Sequence, residues 1–116
     1  MSKKPIREVV FYKDYYLKFY KTLDNRTRLK LNWTIQLLEE QEHIPSRYFK
    51  HLTGTGGLYE IRVQVQSNIY RVFCFFDEGT IIIAINGFQK KTQKTPIKEI
   101  KIAKTIRKEY FDEKEK

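Results

Sequence analysis

The run LYEIRVQVQSNIYRVFCFFDEGTIIIAIN, residues 58–86, decides the fold. β-Branched and aromatic residues fill it, and two clusters of turn formers divide it. It reads as three strands, 58–65, 69–76 and 80–86. Gln66-Ser67-Asn68 makes a tight connection and Asp77-Glu78-Gly79 a hairpin turn. Turns this short join neighbouring strands antiparallel. The third strand contains Ile81-Ile82-Ile83-Ala84-Ile85, apolar on both faces, so it belongs inside the sheet.

Alternation within these strands separates core from surface. Tyr59, Ile61, Val63 and Val65 share one face of the first strand; Glu60, Arg62 and Gln64 share the other. Arg71 shares a face with Ile69, Phe73 and Phe75. A charge among apolar neighbours needs a partner or a wet cleft, because an unpaired buried charge is costly. A structural ion pair with Glu60 is one reading, and a ligand site is the other. The hairpin sets Arg62 and Arg71 on adjacent strands.

Towards the N-terminus, residues 6–12 read as a further strand. A short helix capped by Asp14 extends through Leu23, with Tyr15, Phe19 and Leu23 at helical spacing. Asp24 or Asn25 caps a second helix reaching Gln41, whose buried stripe is Leu31, Ile35 and Leu38, widened by Trp33 and Leu37. Pro45 ends this helical hairpin. Residues 47–57 break the pattern. Gly54, Gly56 and Gly57 lack the Lys-Ser/Thr of a P-loop and open no helix, so they read as a loop.

Towards the C-terminus, a basic loop follows Gly87-Phe88. Thr95-Pro96 starts a helix that runs to Phe111. Ile100, Ile102, Ala103, Ile106 and Tyr110 share its apolar face; Lys98, Lys101, Lys104 and Lys108 share the opposite one. Residues 112–116 read as a fraying tail. The order β-α-α-β-β-β-α gives an α+β fold, an antiparallel sheet with helices mainly on one face and the other face partly open.

The 116 residues fit one domain, residues 1–116, and 41% apolar content supplies a core. No apolar run reaches the ~20 residues of a membrane helix. The N-terminus, Met1-Ser2-Lys3-Lys4-Pro5, is basic but no apolar signal core follows it, so a cytoplasmic location is expected. Lysine and arginine total 23 against 14 acids, a net charge of +9. Between Gly87 and Lys108, eight basic residues stand against Glu99 alone. Such a patch concentrates polyanions, unless it is simply a solvated helix face.

Lys90, Lys91 and Lys94 follow the third strand and can fold back over the Arg62–Arg71 face. Arginine forks match phosphate oxygens, and lysine acts as a point charge. An exposed ring among Tyr70, Phe73 and Phe88 could stack a base. The scattered acids suit no metal, and no cofactor is expected. Cys74 is a small core residue. His43 and His51 precede the sheet and form no triad. RNA carries its own nucleophile, the 2′-hydroxyl, and a lysine with a pKa lowered by neighbouring cations can deprotonate it.

Gly57-Leu58-Tyr59-Glu60-Ile61-Arg62-Val63, Tyr70-Arg71-Val72-Phe73 and Asn86-Gly87-Phe88-Gln89-Lys90-Lys91-Thr92-Gln93-Lys94-Thr95-Pro96 together resemble the phage-derived HigB branch of the RelE/ParE toxin superfamily. The resemblance spans nearly the whole chain. It implies a RelE-like fold and a toxin of a type II toxin–antitoxin system that cleaves mRNA, usually in the ribosomal A site. It implies a cognate antitoxin, a helix-turn-helix, HigA-like protein. By this resemblance Arg62 and Arg71 bind the scissile phosphate, and Lys91 or Lys94 transfers protons. Lys90, Lys98, Lys101 and Phe88 are expected to contact RNA. Glu60 stands where RelE proper has a basic residue, and Ile97 near where it has a tyrosine. His51 is the one histidine near the region where some HigB toxins use histidine. Two other readings share the fold: a ParE-like toxin that binds DNA gyrase and cuts nothing, and an inactive RNA-binding module.

Overall fold

A computed structural model describes residues 4–116; residues 1–3 of the basic N-terminus lie outside it. The elements are β1 (Glu8–Phe11), α1 (Tyr15–Lys21), α2 (Asn25–Glu40), β2 (Phe49–His51), β3 (Tyr59–Val65), β4 (Asn68–Asp77), β5 (Ile81–Lys90) and α3 (Ile97–Lys114). The class is α+β. The five strands lie in the order β1-β5-β4-β3-β2.

The three central strands form the two expected antiparallel hairpins, with Arg62 opposite Arg71 and Asp77 opposite Ile81. β5 lies inside the sheet, as its apolar faces require. The sheet is mixed rather than antiparallel, because β1 runs parallel to β5 from Glu8↔Ile81 to Phe11↔Ala84. Short turns fix direction only for the strands they join. β1 leads instead into the helical hairpin, which carries the chain across the sheet to its far side. The fifth strand, β2, falls in the stretch that read as irregular. Its three residues hold no apolar alternation, and pairing with β3 supplies their order.

The two sheet faces are covered differently. α1 and α2 lay Tyr16, Leu31 and Leu38 over Ile61, Val63, Val72 and Cys74. α3 packs Ala103 and Ile106 on the opposite face, over Phe73, Phe75, Ile83 and Ile85. The face away from the helical hairpin is therefore only partly open.

Cap chemistry explains the helix starts. Asp24 accepts a hydrogen bond from the Thr27 amide at 2.8 Å. Asp14 precedes α1 without capping it; its carboxylate pairs with Lys18 at 3.5 Å. Trp33 is 45% exposed and leans edge-on against Tyr48, outside the buried stripe. Ile102 likewise lies outside the apolar face of α3, at 39% exposed. The C-terminal stretch is helical to Lys114, whose ammonium meets Asp77 at 2.9 Å and Glu78 at 3.1 Å. Two charge-assisted contacts hold what composition alone reads as a frayed tail. Among the described residues no helix is long and apolar enough to cross a membrane.

Candidate functional site

β5 is longer than the sequence pattern indicates, and its extension builds the site. The strand continues through Gly87 to Lys90, where a loop was expected. Val72 faces Gly87 while Cys74 faces Ala84, so β5 carries one extra residue between these pairs. Such a bulge advances the alternation by one. Ile81, Ile83 and Ile85 look towards α3; unbroken alternation would turn Phe88 and Lys90 to the other side. After the bulge Phe88 lies opposite Arg71 and Lys90 opposite Ile69, on the arginine face. Gly87 lands under α1, where an added Cβ would sit 2.4 Å from the Phe19 ring.

Arg62 and Arg71 are direct cross-strand partners. The Arg62 amide donates outward to the Tyr48 carbonyl at 2.8 Å, so its pairing with Arg71 is of the close, non-hydrogen-bonded kind. Two like charges there need a counterion. Glu60 supplies it, completely buried, with Oε1 at 3.4 Å from Arg62 Nη2 and 3.6 Å from Arg71 Nε. The ion pair read from sequence as one option for Arg71 is therefore present. Arg71 also donates to the Tyr70 carbonyl at 3.1 Å.

Burial foremost, then the Arg62 charge, hold the Arg71 guanidinium below its ordinary pKa, against the pull of Glu60. Burial foremost, then Arg71, lower the Lys90 ammonium too; Arg62 and Lys50 add to this, and Glu60 opposes it. Glu60 thus pairs with the two arginines and acts on Lys90, while Lys50 adds a fourth positive charge to the group. The Nε groups of Arg62 and Arg71 are buried without hydrogen-bond acceptors. Arg71 Nε lies 3.6 Å from Glu60 Oε1, an ion-pair contact beyond hydrogen-bond length, so both donors remain without a hydrogen bond.

Two members were not foreseen. Lys50 faces Glu60 across the β2–β3 pair, visible only once β2 is known. Thr95 does not cap α3, which follows Pro96 without a side-chain cap. Its hydroxyl instead donates to Glu60 Oε2 at 2.7 Å, tying the start of α3 to the cluster.

The remaining expected residues divide. Phe88 stacks on the buried Phe73 with centroids 5.4 Å apart and stays partly exposed. Tyr70 lies on the other face beside Phe19. Lys91 is exposed just past β5, beside a groove of about 650 Å³ that Asn68, Gln89 and Lys90 also line. Lys94 is exposed further along that loop, and Lys98 and Lys101 are exposed on α3. None of these four lysines joins the Glu60 cluster in an ion pair among the described residues. His51 pairs with Tyr59, 5.0 Å between rings, on the face opposite the arginines. Cys74 is buried in the core, and burial pushes its thiol pKa up. Arg107 donates to the carbonyls of Thr55 and Gly56, so it belongs to the glycine loop rather than to the cationic face. Among the described residues no three His, Cys, Asp or Glu side chains gather to hold a metal.

Residues 18–108 match the family model of the phage-derived Gp49-like proteins. The chain belongs to that family, which lies in a toxin–antitoxin-related, RelE/HigB-like group. No curated protein matches it.

Proposed function

We propose that this protein is the toxin of a type II toxin–antitoxin pair, with a RelE-like fold, acting as an mRNA endoribonuclease on the ribosome. The observation that carries the reading is the Arg62–Arg71 pair with Lys90 on one face, served by one buried carboxylate. The family's toxin–antitoxin connection supports the biological role.

In this reading Arg62 and Arg71 hold the non-bridging oxygens of the scissile phosphate and stabilise the charge that grows there. Lys90, its pKa lowered, takes the proton from the 2′-hydroxyl. The 2′-oxygen bonds to phosphorus and the bond to the 5′-oxygen breaks, leaving a 2′,3′-cyclic phosphate. Lys91 or Lys94 returns a proton to the departing 5′-oxygen. Phe88 stacks a neighbouring base, and Lys98 and Lys101 attract the strand. The cationic face also suits an acidic segment of a helix-turn-helix antitoxin.

The test is to induce the wild type and Arg71→Ala in cells and map mRNA 5′ ends against reading frame. Cuts confined to translated messages, and absent in the variant, are expected. Growth arrest with intact messages and relaxed DNA would move the reading to a gyrase poison.

A further inference from the structure

β2 covers only part of its neighbour. Its pairing with β3 closes at the Tyr48–Arg62 hydrogen bond, and among the described residues no strand pairs with the rest of that edge, as far as Val65. Backbone groups alternate in direction along a strand. The Gln64 amide therefore faces outward, as the Arg62 amide does. A groove of about 340 Å³ runs along this edge, lined by Lys30, Arg47, Tyr48, Arg62, Gln64 and Gln66. Lys30 comes from α2, Arg47 from the loop before β2 and Arg62 from the sheet, so three separate segments converge their cations here.

No acid lines this groove. Among the described residues neither Lys30 nor Arg47 has a carboxylate within ion-pair distance. Both instead rest on one ring: Arg47 lies 4.8 Å from the centre of Tyr48 and Lys30 5.5 Å. Lys30 also sits 4.3 Å from the centre of the exposed Trp33 ring. Aromatic faces hold the cations in place without cancelling their charge. Beyond Gln66 an adjoining hollow adds Arg26.

Arg62 is shared. It lines this groove and its Nη2 also meets Glu60 in the cluster. The two features form one continuous positive path that leads off the sheet over its open edge.

We propose that this edge is a second binding subsite, taking the phosphate backbone of single-stranded RNA beyond the nucleotides held by Arg62, Arg71 and Lys90. The Gln64 amide is a further phosphate donor. A cationic groove with supporting aromatics suits a strand held by its backbone and read without base preference. The inference rests on the reading of the sheet face as an RNA site.

The test measures binding of a trinucleotide and of an RNA of about nine nucleotides, both 2′-O-methylated so that the nucleophile is blocked, to the full chain and to Lys30→Ala/Arg47→Ala. Cleavage of unmodified RNA is followed in parallel. The double variant should bind the longer RNA about tenfold more weakly, with a salt slope shallower by about 1.4, two charges at 0.7 each. Its trinucleotide affinity should be unchanged, which also shows that it folds. Equal affinity and slope for the longer RNA in both proteins would overturn the subsite. So would no RNA binding by the wild type, or protection of Gln64 from exchange by an extended acidic peptide but not by RNA. Groove-dependent binding without cleavage would uphold the subsite and sink the nuclease reading alone.

Discussion

Glu60 does two jobs that pull against each other. It neutralises the arginine pair, and it occupies the guanidinium positions a phosphate would claim. Removing one member of a buried pair strands the other charges, at a cost of about 3 kcal/mol. Glu60→Gln keeps the volume and the Thr95 contact, so it should lower stability by about that amount in urea unfolding. The same variant should bind RNA more tightly, and inorganic phosphate should recover more of its melting temperature than of the wild type's. Unchanged RNA affinity would mean that the carboxylate does not compete with the ligand. Lys90 offers a second measurement. A base with a lowered pKa makes the cleavage rate rise with pH to an inflection below the ordinary lysine value of about 10.4; Lys90→Gln should remove it. The stability sign follows from linkage. The unfolded chain holds this proton more tightly, so the depressed Lys90 weakens the fold at neutral pH, and the penalty lifts as pH rises through its folded value. Lys90→Gln should therefore be inactive and slightly more stable.

At the scale of elements, the bulge in β5 decides which face receives the chemistry. Gly87→Ala would drive a methyl into the Phe19 ring and should destabilise the protein by about 1–3 kcal/mol. Phe19→Leu in the same chain should recover part of that loss, a double-mutant cycle readable by thermal unfolding. The bulge also marks where sequence reasoning fails. The start of β5 is apolar on both faces and carries no phase of its own, and one extra residue changes the alternation of everything after it without a compositional trace. Lys90 therefore looked like one loop lysine among three. Lys50 was hidden for a related reason, since a three-residue strand is defined by its partner. The end of α3 was misjudged because its anchor lies far away in sequence, at Asp77. The Lys114 ammonium first, and then the Tyr110 hydroxyl, hold that carboxylate below its ordinary pKa. Its contribution is complete above the unfolded value, about 3.9, and is lost as pH falls through the folded one. Asp77→Asn should be less stable at neutral pH and should show a shallower loss on acidification, followed by circular dichroism.

For the molecule as a whole, most of the fold was legible. The helical hairpin, both sheet hairpins and the apolar face of α3 follow from periodicity, turn residues and caps. That Arg62 and Arg71 stand on adjacent strands was legible as well, from the short turn between them; their direct pairing was not, because Asn68 already belongs to β4 and pairs with Val65. The parallel β1–β5 contact was not, since no local signal joins segments so far apart. The net charge of +9 gives affinity for any polyanion, whereas the cluster concerns a few phosphates. A trinucleotide carries two phosphates, and binding them through Arg62, Arg71 and Lys90 should show a salt slope of about −1.4, at 0.7 per phosphate. Arg71→Ala should reduce it by about 0.7, and a slope insensitive to that change would place RNA elsewhere on the surface.

The β1–β5 pairing also bears on the order of events during synthesis. Glu8 is made early, yet its partner Ile81 emerges when most of the chain already exists. Until then β1 has no strand to join, and contacts this distant in sequence close late. Lys90, the Thr95 tether and α3 come later still. The cationic face is therefore among the last parts of the nascent protein to take shape, and a truncated product ending before residue 81 has neither a closed sheet nor a complete set of charges.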